Sequence, residues 1–134
     1  MTNNMPDEYG DPFLKIDEDI ELEATYRIAW LIEYYESDPT LAGIRFNYDV
    51  IVRNGPQIDI LLMTDEEFQY YEEESRWRCI DEFSQRRTVT NTQECILELD
   101  EYDFVLDHGY HSEPEQWDDA LVSVKAEARP IYNI

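Results

Sequence analysis

Basic residues are scarce. Ten Lys and Arg stand against thirty-two Asp and Glu, a formal charge of −22 over 134 residues, and only Lys15 and Lys125 are lysines. Neutralising a phosphate backbone needs clustered cations, so direct nucleic-acid binding is excluded, and an anionic membrane surface is disfavoured for the same reason. Glycine is also rare. With Gly10, Gly43, Gly55 and Gly109 alone there is no phosphate-cradling loop, and neither a GxSxG nor an HExxH motif occurs. The two cysteines, Cys79 and Cys95, belong to no CxxC pair, which argues against zinc and for buried thiols over a bridge. The first fourteen residues carry neither a basic n-region nor an apolar h-region, and no membrane span follows, so a cytoplasmic protein is expected.

Chains this acidic are often disordered, but those are poor in aromatics, and this one has ten Tyr, five Phe and three Trp. One folded domain is expected, with residues 1–15 as a flexible acidic segment and 16–134 as a single β-sandwich. The acids run from Asp7 to Glu127 without forming a tail, as in a solvated shell. Such a shell repels itself in dilute buffer and is relieved at molar salt, where the Debye length falls to about 3 Å. A halophilic source therefore accounts for the composition better than an acidic decoy surface.

A period of two runs through most of the chain. Ile44, Phe46, Tyr48, Val50 and Val52 alternate with Arg45, Asn47, Asp49 and Arg53, which describes a strand with one buried face. Asn54-Gly55-Pro56 supplies a turn and Gln57 to Met63 a second, more continuously apolar strand, together read as a tight hairpin. Thr64 followed by Asp65, Glu66 and Glu67 is a capping box, opening a short helix to about Glu73 with Phe68 and Tyr71 against the sheet. A strand is read around Trp77 to Ile80, and Cys95 to Leu99 with Tyr102 to Asp107 as another pair. The closing strand turns Ala120, Val122, Val124, Ala126 and Ala128 inward. Thr25 to Glu36 fits a helical stripe as well as alternation, but its aromatics and β surroundings favour a strand, preceded by an acidic edge strand over Ile16 to Glu23. The fold class is all-β and mainly antiparallel, a single sandwich of seven or eight strands with one short helix after the central hairpin.

Chemistry is thinly marked. His108, His111 and Glu113 are weak metal candidates whose spacing fits no established motif, so no metal, cofactor or catalytic set is assigned. Paired carboxylates can be drawn almost anywhere in so acidic a chain and carry no information. Aromatics say more. The neighbours Tyr34 and Tyr35, and Tyr70 and Tyr71, cannot both face one core, which makes Tyr35, Tyr70, Trp77, Tyr110 and Trp117 the candidate contacts for a protein partner or for self-association. Arg76, Arg78, Arg86 and Arg87 form the only local basic island.

The strand Phe46 to Val52, the Asn54-Gly55-Pro56 turn and the strand Gln57 to Met63 resemble the strand, glycine turn and D-[VI] strand of GOLD-like (Golgi-dynamics) β-sandwich domains of the kind seen in haloarchaeal proteins. Thr64 to Tyr71 is similar to their T-[DE]-x-E-F-x-x-Y helix, Leu99 to His108 to their L-x-x-G-x-Y-x-F-V-x-D-N strand, and Asp119 to Ala126 to their closing strand. Asp100 and Glu101 stand where that pattern has glycine, and His108 where it has asparagine. The resemblance, over residues 19–128, implies a non-catalytic interaction or cargo-binding module and transfers no catalytic residue. The expected function is thus a non-catalytic protein-interaction or structural module of a halophilic archaeon or its virus, a virion or surface-assembly component being one version. The alternative is an acidic nucleic-acid mimic that inhibits a DNA-binding protein, ahead of a small metal-dependent enzyme.

In a potassium chloride series the thermal midpoint should rise from dilute buffer to molar salt, because screening relieves the self-repulsion. A midpoint that stays level removes the halophilic reading and shifts weight to the mimic.

Overall fold

Alternating sequence becomes sheet only where its apolar face finds a second apolar face to cover it. A computed structural model of the chain, describing residues 7–109 and 118–133, meets that requirement with two antiparallel sheets packed face to face. In chain order the elements are β1 (Asp7–Tyr9), β2 (Leu14–Leu22), β3 (Arg27–Ile32), β4 (Leu41–Asn54), β5 (Ile58–Thr64), α1 (Asp65–Glu72), β6 (Gln85–Thr88), β7 (Thr90–Leu97), β8 (Tyr102–Asp107) and β9 (Ala120–Asn133). The first sheet runs β2–β9–β4–β7, and β1 continues the β2 edge along the far end of β9. The second runs β3–β8–β5–β6. Counting β1 and β2 as one interrupted edge gives two layers of four. The order 2-9-4-7 facing 3-8-5-6 is the double Greek-key connectivity of a jelly roll.

The core lies between the layers. Phe46, Tyr48 and Val50 of β4, and Val122, Val124 and Ala128 of β9, are buried against Ile60, Leu62, Phe104 and Leu106 of the second sheet. Phe104 packs edge-on to Phe46 with ring centroids 5.1 Å apart and lies 4.7 Å from Tyr48. The buried Tyr48 hydroxyl donates to the Phe83 carbonyl at 2.7 Å and accepts from Asn91 Nδ2 at 2.8 Å, so its burial leaves no orphaned polar group.

Several expectations are corrected. The strands on either side of Asn54-Gly55-Pro56 are not a hairpin: β4 belongs to the first sheet and β5 to the second, and the turn carries the chain across the sandwich. β5 is apolar on both faces, so pairing with the half-polar β4 would leave Leu61 and Met63 in water; beside β8 they are covered by α1. Gly55 makes the crossing with φ +106°, and a Cβ there would lie 2.3 Å from the Asp119 carbonyl oxygen. β7 and β8 likewise sit in different sheets. The strand read over Trp77 to Ile80 is irregular chain, tied down by the Ile80 amide donating to the Leu62 carbonyl at 2.7 Å. Residues 1–15 are not wholly outside the domain, since Asp7–Tyr9 and the start of β2 pair with β9.

The helix has the Thr64 cap, whose Oγ1 accepts from the Glu67 amide at 3.3 Å. The reciprocal half of the box is not made, because the Glu67 carboxylate accepts from the Arg78 amide at 2.8 Å and anchors the segment that follows the helix. On β8 the residues Asp103, Val105 and Asp107 alternate with the inward Tyr102, Phe104 and Leu106, a pattern that by itself would leave them in water. Instead α1 covers that face, and Leu61, Met63, Val105 and Tyr71, with Phe68, Trp77 and Cys79 against them, form a second small core. Within Thr25 to Glu36 only Arg27–Ile32 is strand, β3, as the alternation indicated, and the residues on either side of it are not.

Val50→Asp places a charge where the side chain is fully buried, costing several kcal/mol of a total of about 5 to 15, and should unfold the domain. Asp49→Ala removes only an exposed hydrogen bond from Thr92 Oγ1 and should change stability by less than about 0.5 kcal/mol. Circular dichroism melts of both variants in high salt check the register, and equal effects would refute it.

Candidate functional site

The two outer faces of the sandwich differ. On the second sheet, α1 and the chain after it lie over β5 and β8, so most of that face is dry. On the first sheet none of the described residues covers the outward side chains of β2, β9, β4 and β7. An open groove of about 760 Å³ runs across this face, bordered by Lys15, Asp17, Asn47, Asp49, Lys125 and Glu127.

Strand register sets these side chains in rows. One row reads Lys15, Glu127, Asn47, Glu94 across β2, β9, β4 and β7, and the next reads Asp17, Lys125, Asp49, Thr92. Successive rows on one face are about 6.6 Å apart and neighbouring strands about 4.8 Å, so on β2 and β9 each charge has an opposite charge beside it and another in the next row, a checkerboard that Asp49 extends beside Lys125. Arg45 pairs with Glu94 at 2.9 Å and lies over the Tyr9 ring at 4.8 Å, while Arg129 pairs with Glu127 at 2.6 Å and holds that carboxyl below its ordinary range. Among the described residues neither lysine amine is within ion-pair distance of a carboxylate.

Both lysines and Arg45, Arg53 and Arg129 project from this face. Against these five cations stand six carboxylates in the paired rows, Asp17, Asp19, Glu21, Asp49, Glu94 and Glu127, with Asp119 beside Glu21 and Asp11 near Arg129 at the ends, leaving three net negative charges on a face of a molecule carrying −22. Most of the excess acid therefore lies elsewhere.

The opposite side holds a buried carboxyl. Asp103 points from β8 under the N-terminal end of α1, only 4% exposed, with the half-buried Asp65 close to it, and its Oδ2 meets no hydrogen-bond partner among the described residues. Desolvation first, then Asp65, with Glu101 and Glu72 adding to it, pushes its carboxyl up to about 8. Beside it the Tyr71 hydroxyl donates to Asp107, and Arg27 caps the Tyr71 ring at 4.6 Å while pairing with Glu72 at 2.7 Å. This cluster clamps the helix to the sheet. It contains no nucleophile, and the Cys95 thiol in the main core is pushed up to about 12 by burial, unreactive at neutral pH.

The aromatic candidates are not brought together. Tyr35 is 72% exposed and lines a groove with Leu41 and Leu99 at one end of the sandwich. Tyr70 is exposed on α1, whereas its neighbour Tyr71 is buried. Trp77 is half-buried: it packs edge-on to Tyr71 at 5.0 Å under the Arg86 guanidinium, against the second core. Tyr110, Trp117, His111 and Glu113 lie outside the described residues. His108 is buried and its Nε2–H donates to the Asp118 carbonyl at 2.6 Å, so it joins two chain segments. Among the described residues no group of three or more His, Cys, Asp or Glu converges on a common point, and no helix is long and apolar enough to cross a membrane. Both cysteines are free thiols.

The checkerboard was not anticipated. Its members were readable as the polar halves of alternating strands, but their adjacency depends on which strands pair. The chain matches no protein-family model and no curated protein.

Because the folded state raises the Asp103 carboxyl above its unfolded value, that group binds its proton more tightly when folded. Its contribution is fully present below about pH 4 and is lost as pH rises through about 8. Asp103→Asn keeps a donor for Asp65 without the charge. Melts at pH 5 and pH 9 should show a smaller fall for the variant than for the native chain; equal falls would show that Asp103 does not hold its proton.

Proposed function

We propose that the chain is a non-catalytic β-sandwich interaction module of a halophilic archaeon or one of its viruses, docking a protein on the uncovered face of its first sheet. The observation that carries this reading is the charge balance of that face. A shell evolved only for solubility spreads acid over every face, whereas here the two central strands of the sheet, β4 and β9, hold four of the ten cations and the neighbouring β2 a fifth. Interfaces favour such mixed, complementary surfaces because they fix register and reject wrong partners. The jelly-roll connectivity, which recurs in viral capsid and lectin domains, and the resemblance to GOLD-like domains support the same class by analogy. A nucleic-acid mimic needs unbroken carboxylates at phosphate spacing, and cations interrupt both central rows of this face.

A photo-crosslinking side chain placed at Lys125, compared with one at Arg86 on the opposite side, tests the reading in the cell of origin. Discrete protein adducts from position 125 alone are expected. Adducts at neither position, or equally at both, would overturn it.

A further inference from the structure

The checkerboard on the first sheet is its own electrostatic complement, and we propose that this face pairs with the same face of a second copy of the chain. The inference deepens the docking reading above and rests on it. A two-fold axis lying in the interface, across the strands and between the Lys15 and Asp17 rows, exchanges those two rows. Lys15 then faces Asp17 of the second copy and Lys125 faces its Glu127, and symmetry repeats both contacts. Asn47 faces Asp49, and Glu94 faces Thr92. One row further out, Arg129 faces Ser123 and Arg45 faces Ile51, so no like charges are opposed.

Why a second copy occupies the face follows from the charge balance. Two bodies of −22 repel through any surface that carries the excess acid, and this face brings them together with that term largely cancelled. A strongly basic partner would be drawn to the acidic surfaces instead. Four strands about 4.8 Å apart, over about ten residues at about 3.3 Å each, give a flat footprint of roughly 600 Å², close to the roughly 800 Å² of accessible surface that each partner buries in a standard interface. The exposed Ile96 and Leu121 project from the same face and add apolar surface to it. A two-fold axis parallel to the strands is less favourable, because it sets Arg45 against Arg129 of the second copy.

The test is sedimentation analysis of the full chain in potassium chloride sufficient to keep it folded. The native chain should dimerise in a concentration-dependent way. Lys15→Glu with Lys125→Glu makes every charge of the central rows acidic, Asp17→Lys with Glu127→Lys makes their β2 and β9 positions wholly basic, and each double variant alone should associate at least about tenfold more weakly. An equimolar mixture of the two should restore dimer, because every opposed pair is again of opposite sign. Circular dichroism confirms folding; should the basic variant unfold, Asp17→Asn with Glu127→Gln serves in its place, with loss of the dimer expected. A monomeric native chain at all concentrations, variants that dimerise as the native chain does, or folded variants whose mixture stays monomeric would overturn the pairing. Crosslinks from position 125 to a different protein, together with a monomeric native chain, would leave the docking reading standing and remove only self-association.

Discussion

The antiparallel pairing of β4 with β9 is the contact on which the rest of this fold is hung. Both strands are fourteen residues long, and they run side by side from Leu41 to Asn54 against Leu121 to Tyr132. Within that ladder large residues lie beside small ones: Phe46 pairs with Ala128 and Tyr48 with Ala126. The alanine methyls leave room for the two rings to lie between the sheets and meet Phe104 from the other layer. The alanine-rich inner side of β9 is thus a packing complement to the aromatics of β4, as close-packed cores require. β9 carries β1 and β2 on its free side and β4 carries β7, so the whole first sheet is assembled on this pair.

That central position also determines where polar chemistry can gather. A strand buried on one face must show the other, and with two such strands in the middle of a sheet their outward residues become the centre of a surface. On the second sheet the outcome is opposite. β5 is apolar on both faces and β8 adds Val105 between two aspartates, α1 is needed to cover them, and the carboxyls caught beneath the helix feel its burial. Asp103 is therefore driven toward its protonated form, and Tyr71 bonds to Asp107. One layer ends in an open charged mosaic and the other in a closed clamp, although the strands of both come from the same alternating pattern.

Much of this was legible in the linear chain. The in-and-out register of β4 and of β9, the Thr64 cap and the extended state of residues 27–32 all follow from local rules, since a side chain's face is decided by its parity and a cap by residues three apart. The misreadings share one cause. Asn54-Gly55-Pro56 has hairpin chemistry, yet it bridges two sheets, and the strand read near Trp77 is irregular chain pressed onto Tyr71. In each case the local signal was real and a distant partner overrode it.

The sequence by itself determined that this chain has a strongly acidic surface around an antiparallel β core, because composition and a period of two are properties of single residues and their near neighbours. Only the tertiary structure decided which strands lie side by side, because backbone pairing takes no account of distance along the chain. Lys15 and Glu127 are more than a hundred residues apart, and so are Asp17 and Lys125. Their adjacency exists only once β2 has docked on β9, and with it comes a face on which cations and carboxylates alternate.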